Sequence, residues 1–164
     1  MTSLRSTGGQ RQATPPRAAL SIPQNVHFMS TTSEWSTPHW LFEDLDKEFG
    51  FTLDPCAAPS NAKCLNYFTP KEDGLKQNWG ENTVFMNPPY GRAIAQWMRK
   101  AYESARHHAT IVCLIPARTD TNWWHQFAMK GEIRFLKGRV KFDGGRHSAP
   151  FPSAVIVFRP GCGS

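Results

Sequence analysis

The run Ala109-Thr110-Ile111-Val112-Cys113-Leu114-Ile115 is apolar apart from one threonine and shows no polar face. Such a strand is covered on both sides, as when helices pack above and below a parallel sheet. A second apolar run, Thr83-Val84-Phe85-Met86, lies upstream. Between the two, the sequence predicts a helix from Arg92 to about His107. Its stripe of Ile94, Trp97, Met98, Ala101 and Ala105 reads as core, with Arg99, Lys100, Glu103 and Arg106 mostly on the other side. His107 and His108 end the helix, where positive charge suits the dipole. Strand, helix, strand implies a right-handed parallel crossover, so the chain is an α/β protein.

The segment after the first strand is chemically unusual. Asn87-Pro88-Pro89-Tyr90 stops it abruptly, because proline has no N–H for a ladder and holds the preceding residue out of the helical region. Two acceptors are thereby left at the carboxyl end of a strand: the Asn87 side-chain oxygen and the Pro88 carbonyl. With the Tyr90 ring beside them, they suit a planar amine, bonded through its two N–H groups and stacked on an aromatic face. An Asn-Pro turn that merely ends a strand is the plainer alternative. The tetrapeptide resembles the catalytic motif of S-adenosylmethionine-dependent amino-methyltransferases.

Upstream, Thr37 is a candidate N-cap and Pro38 a first helical residue for a helix running to about Phe49. Pro38, Leu41, Phe42, Leu45 and Phe49 share its inner face, and Gly50 stops it. Trp35-Ser36-Thr37-Pro38 either packs on this helix end or forms one wall of a cofactor pocket. Phe51 to Ala58 reads as a strand ending in a bend. An acid just after a buried strand, Asp54, lies where ligands bind in open α/β sheets and can attract the cation of S-adenosylmethionine. Asp54-Pro55-Cys56-Ala57 resembles a cofactor motif of amino-methyltransferases, except that its Gly-rich turn is replaced by Ala57, Ala58 and Pro59. Lys63 to Thr69 is a further candidate strand. A polar loop with Glu72, Asp73, Gly74, Leu75 and Trp79 comes next. Related enzymes hold the cofactor adenine with an acid and an apolar residue in such a loop, which makes Asp73 and Leu75 candidates; a surface turn is the alternative.

After the second long strand, Pro116-Ala117-Arg118 reaches the same sheet edge as Asn87, and Arg118 is a candidate phosphate or base contact. Thr121 or Asp120 caps a short helix carrying Trp123 and Trp124. Either one tryptophan stacks on a base, or both are buried by neighbouring loops. Glu132 to Leu136 and Arg139 to Phe142 resemble two short strands. Lys137, Arg139 and Lys141 alternate with apolar residues, giving a polar face that either meets nucleic acid or protects a strand edge. Gly144 to Pro150 is expected to be a mobile loop and Ser153 to Phe158 a last apolar strand.

Charge bears on partners. Lys+Arg 19 against Asp+Glu 13 gives +6 and a pI near 9.4, which suits a polyanion. Arg5, Arg11 and Arg17 fall in residues 1–28, which contain no acid and are rich in Ser, Thr, Gln, Gly and Pro. That segment is expected to be a disordered basic extension, leaving 29–160 as the catalytic domain and 161–164 as a tail. Four cysteines (Cys56, Cys64, Cys113, Cys162) show no CxxC spacing and read as reduced thiols, with no metal site expected. No apolar run approaches the roughly 20 residues of a membrane span. The reading is a cytoplasmic protein, with no obligatory protein partner evident.

Taken together, the segments resemble the phage-encoded DNA N-6-adenine-methyltransferase family from about Ser33 to Pro160. The agreement runs in order through Trp35-Ser-Thr-Pro38, Leu53-Asp-Pro-Cys-Ala57, Asp73-Gly-Leu75, Asn87-Pro-Pro-Tyr90, Pro116-Ala-Arg118, Trp123-Trp-His125, Gly138-Arg139 with Lys141-Phe142, and Ala149-Pro-Phe-Pro-Ser153. The resemblance implies a compact Rossmann-like methyltransferase fold, with a mostly parallel sheet, flanking helices and a C-terminal antiparallel strand. It implies S-adenosyl-L-methionine as cofactor, held by Trp35, Thr37, Pro38, Asp54, Pro55, Cys56, Ala57, Asp73 and Leu75. It implies catalysis by Asn87, Pro88, Pro89 and Tyr90 on a flipped adenine of double-stranded DNA contacted by Arg118, Trp123, Trp124, Arg139 and Lys141. The setting would be phage or prophage DNA modification against restriction, in a bacterial host. Methylation of RNA adenine or protein glutamine, or a non-catalytic DNA-binding relative, are the competing readings.

Overall fold

The computed structural model describes residues 35–142 and 148–162. The expected N-terminal extension, residues 143–147 of the expected mobile loop and the last two residues of the tail lie outside the described residues. Six strands form one sheet: β1 (Leu53–Asp54), β2 (Asn66–Tyr67), β3 (Thr83–Met86), β4 (Thr110–Pro116), β5 (Glu132–Phe135) and β6 (Ser153–Phe158), in the order β2-β1-β3-β4-β6-β5. Helices α1 (His39–Phe49), α2 (Ile94–Arg106) and the short α3 (Asn122–Gln126) complete the described architecture, with a 3-10 turn at Ala128–Lys130.

The sheet is mixed, and its C-terminal strand is antiparallel as expected. β1 pairs in parallel with β2 and β3, and β3 with β4, whereas β6 runs antiparallel to both β4 and β5. The reversal follows from position: β6 is inserted between β4 and β5 and returns the chain from the carboxyl edge, where Pro116 pairs with Ser153. Val84 to Met86, the last six residues of β4 and all of β6 are buried, so the apolar runs form the central layer. α2 presents the predicted stripe: Ile94, Trp97, Met98, Ala101 and Ala105 are buried, joined by Tyr102.

Three local expectations change. α1 starts at His39 with Pro38 in the cap position and no side-chain cap bond. Thr37 does not cap it, because its hydroxyl accepts the Asn87 amide instead (3.0 Å). Gly50 ends the helix as expected, at φ 66°, a left-handed conformation that glycine adopts without strain. Arg139 to Phe142 forms no strand; Val140 and Phe142 turn inward while Arg139 and Lys141 stay exposed. Trp123 and Trp124 are both buried, with ring centroids 5.8 Å apart. A helix of only five residues, packed against α2 and the following 3-10 turn, leaves neither ring free to stack on a base.

The topology fixes where a ligand fits. From β1 the chain moves outward to β2, then returns past β1 to β3 on its other side. The order therefore reverses between β1 and β3, and ligands of open α/β sheets bind at such a switch, outside the carboxyl ends of the strands. Asp54 ends β1 and Asn87 comes just after β3, one on each side of that crevice.

Candidate active site

A cleft opens at this switch point. Of the residues expected from sequence, Trp35, Thr37, Asp54, Cys56, Ala57, Asn87, Pro88 and Pro89 line it, together with Ser36, Asn61, Lys63 and Phe85. Ser36 belongs to the expected Trp35–Pro38 wall, whereas Asn61, Lys63 and Phe85 carried no site signal: Lys63 sits nine positions beyond Asp54 and reaches the cleft only because the intervening turn folds back.

That turn accounts for the missing glycines. The Ala58 N–H donates to Asn61 Oδ1 (2.7 Å), and the N–H groups of Asn61 and Ala62 donate to the Ala58 carbonyl (3.0 and 2.9 Å). No residue from Pro55 to Ala62 has positive φ, so glycine is not required there. The required glycine is elsewhere. A Cβ on Gly74 would lie 1.9 Å from the Pro55 carbonyl oxygen. Gly74 also accepts the Trp79 indole N–H at 2.9 Å, and Trp79 is fully buried and stacked on Trp97. The loop thus presses against the back of the Asp54 turn rather than reaching into the cleft. Asp73 instead pairs with Lys76 at 3.1 Å, and Leu75 packs partly buried against the core.

Asp54 is 5 % exposed. Burial pushes its carboxyl up to about 6, against the pull of the Lys63 and Cys56 N–H groups and of the Lys63 charge. Those N–H groups donate to Oδ2 (3.2 Å) and Oδ1 (3.3 Å). A desolvated carboxylate with so little compensation favours an incoming cation. Burial, with the nearby Asp54 charge, holds the Cys56 thiol, two residues beyond Asp54, far above the usual range, so it stays neutral. The Asn87 backbone N–H, from the other side of the cleft, lowers the pKa of that thiol in opposition.

Asn87 is oriented from both ends of its amide. Nδ2 donates to the Trp35 carbonyl (2.7 Å) and to Thr37 Oγ1 (3.0 Å), which uses both of its protons. Oδ1 accepts the Tyr90 hydroxyl (2.6 Å) and keeps its second lone pair. Among the described residues, no backbone N–H bonds the Pro88 carbonyl. Pro88 and Pro89 therefore present acceptors and apolar edges but no donor.

Tyr90 lies differently from the expected stacking platform. It is 7 % exposed, and its hydroxyl also meets the Leu114 carbonyl at 3.3 Å. Its ring stacks on Trp35 (centroids 6.3 Å apart) and meets Phe142 and Phe151 edge-on (6.2 and 5.5 Å). These four rings come from separate segments of the chain, and Trp35 carries the cluster to the cleft. Pro38 and Pro55 are buried behind its walls. Arg118 is exposed just past β4, at the edge that carries Asn87, and Arg139 and Lys141 are exposed beyond β5.

Comparisons with known proteins give the family. The family model described as DNA N-6-adenine-methyltransferase (Dam) matches residues 27–158. The chain is 34% identical over 137 residues to the DNA N-6-adenine-methyltransferase of Haemophilus phage HP1, covering 77% of this chain and 78% of that protein. It is 35% identical over 92 residues to the protein of the same name from Escherichia phage T1, covering 55% of this chain and 38% of that protein.

Proposed function

The chain belongs to the DNA N-6-adenine-methyltransferase family, and we propose how it methylates the N6 amine of adenine in DNA. Asn87 and Pro88 bind the amine, and the Asp54 side of the cleft holds S-adenosyl-L-methionine. The single observation that carries this is the Asn87 amide, whose donors are fixed on Trp35 and Thr37 so that its oxygen is an aimed acceptor.

Adenine's exocyclic nitrogen is a weak nucleophile because its lone pair is delocalised into the ring. Asn87 Oδ1 accepts one N–H and the Pro88 carbonyl the other. Two acceptors placed out of the ring plane favour a tetrahedral nitrogen, whose lone pair is then localised for attack. When bound, S-adenosylmethionine would supply an electrophilic methyl, so that the N–C bond would form as the S–C bond broke, with a neutral thioether as leaving group and the extra proton of the nitrogen passing to water. Asp54 offsets the positive charge of the bound donor. The neutral Cys56 thiol, the prolines and Phe85 provide a dry wall, so that orientation and electrostatics carry the rate. The residues fit such a donor, since a buried carboxylate stands one strand away from the aimed acceptor.

A base inside a duplex cannot reach a cleft walled in this way, so the adenine is flipped. Arg118, Arg139 and Lys141, exposed toward the Asn87 edge and beyond β5, hold the flanking phosphates. With both tryptophans buried, the DNA side rests on cations and backbone rather than on a platform from α3. The setting is phage or prophage DNA modification in the host cytoplasm; no helix among the described residues is long and apolar enough to cross a membrane.

Asn87→Ala tests the reading. Methyl transfer to plasmid DNA, detected as N6-methyladenine, is expected to vanish, while S-adenosylhomocysteine affinity by titration calorimetry stays within a few-fold of wild type. Retained transfer would remove Asn87 from catalysis. If instead DNA stays unmethylated by wild type while RNA or a glutamine-containing protein accepts label, the substrate is one of those.

A further inference from the structure

We propose that Trp40, exposed in the first turn of α1, is an aromatic DNA contact at the mouth of the cleft and stacks on a base left bare when the adenine leaves the duplex. The proposal rests on the reading above, in which DNA meets the Asn87 edge, and adds a residue that none of the motifs contains.

An isolated exposed apolar side chain needs no explanation; the placement of this one carries the argument. Trp40 is 57% exposed and stays outside the packed core. Its helix begins two residues after Thr37, which lines the cleft and holds the Asn87 amide. The ring therefore stands at the carboxyl edge of the sheet, beside the group that receives the substrate amine.

Its side of the helix is fixed by partners further along. Phe42 packs on Phe51 and Phe85 (centroids 5.5 and 5.1 Å apart), toward β1 and β3. Trp40, Asp44 and Glu48 follow one another at four-residue spacing on the other flank. Glu48 accepts two bonds from Arg134 of β5 (2.6 and 2.7 Å), so that flank faces β5. Just ahead of α1, Trp35 meets Phe142 at 5.4 Å, and the neighbouring Lys141 is exposed, as is Arg139. The ring and the cations assigned above to the flanking phosphates thus share one side of the mouth.

Charge limits what reaches it. The first turn of α1 holds no acid, whereas Glu43, Asp44 and Glu48 follow. Phosphates are tolerated at the start of the helix, where its dipole is positive, and repelled further along. A duplex seated on Arg139 and Lys141 therefore meets α1 at Trp40 and not along its length. When the adenine leaves the stack, the bases beside it lose an apolar face to water. A flat ring covers such a face without regard to sequence.

The test uses the full chain and a fluorescein-labelled duplex cut from plasmid DNA that wild type methylates. By anisotropy, Trp40→Ala is expected to weaken binding about 5- to 150-fold, the range for one base–aromatic stack. The salt slope should not change, because no charge is removed. Trp40→Tyr is expected to recover most of the loss, and Trp40→Leu, apolar but not flat, little of it. Affinity for S-adenosylhomocysteine should hold in all three, which also shows that they are folded. The proposal is overturned if Trp40→Ala binds the duplex as wild type does, if Trp40→Leu matches Trp40→Tyr, or if S-adenosylhomocysteine binding falls as well. It is also overturned if sedimentation shows Trp40→Ala splitting a wild-type dimer while DNA affinity is kept, since the ring then meets a second copy of the chain. If Asn87→Ala retains transfer, the placement of DNA at that edge fails instead, a result distinct from all of these.

Discussion

At the cleft, Asp54 pulls stability and function in opposite directions. Asp54 has a folded-state pKa of about 6 against an ordinary 3.8, so folding favours its protonated form. Its contribution to stability is therefore complete below about pH 3.8 and is lost as the pH rises through about 6. Well above that, the ionised carboxylate costs up to about 3 kcal/mol. Asp54→Asn is thus expected to raise the melting temperature at about pH 8, by an amount that shrinks toward about pH 4.5, while sharply lowering affinity for S-adenosylhomocysteine. Thermal melts across that range, paired with calorimetry, check both halves. For Tyr90, burial changes the expected balance of effects. A surface stacking partner is worth about 1–3 kcal/mol of base binding. A buried aromatic cut to alanine costs about 3–5 kcal/mol of fold. Tyr90→Ala should therefore melt far below wild type. Tyr90→Phe, which keeps the ring but removes the bond to Asn87 Oδ1, should lose only about 1 kcal/mol and slow methyl transfer without changing cofactor affinity.

Among the elements, the loop behind the Asp54 turn makes the sharpest claim. Gly74→Ala drives a Cβ into the Pro55 carbonyl, a backbone atom that cannot swing aside. It is expected to cost about 1–3 kcal/mol and to weaken cofactor binding by displacing the turn; urea unfolding and calorimetry measure the two effects. Here the sequence was informative in part. β3, β4, β6 and the α2 stripe were readable because their apolar spacing is local, and the switch-point cleft followed from two strand ends carrying Asp54 and Asn87. β1 has only two residues and β2 is exposed, so neither had enough pattern to set its bounds. Burial of Trp123 and Trp124 depends on neighbours distant in sequence, so no periodicity in a five-residue helix reveals it. Thr37 looked like a cap because caps are recognised locally; its actual partner, Asn87, lies fifty positions along the chain. Asp73 and Leu75 are cofactor candidates by resemblance alone, and the close approach of Gly74 to Pro55 instead gives that loop a supporting place.

For the molecule as a whole, charge and topology act together. The net +6 is carried partly by residues 1–28, and the exposed cations near the Asn87 edge are few. DNA affinity should accordingly fall with salt at a modest slope, and Arg139→Ala and Lys141→Ala should each lower that slope by about 1 while weakening all sequences alike. Fluorescence anisotropy over a salt series measures this; unchanged slopes would take both residues off the DNA. One contact reaches further than its size. The amide of Asn87 hangs from the Trp35 carbonyl, 52 positions earlier. A tag, a proteolytic nick or a tether applied just ahead of α1 therefore acts on the nitrogen-activating group by direct mechanical linkage, and trimming the chain stepwise toward Trp35 should silence the enzyme abruptly at that residue rather than by degrees.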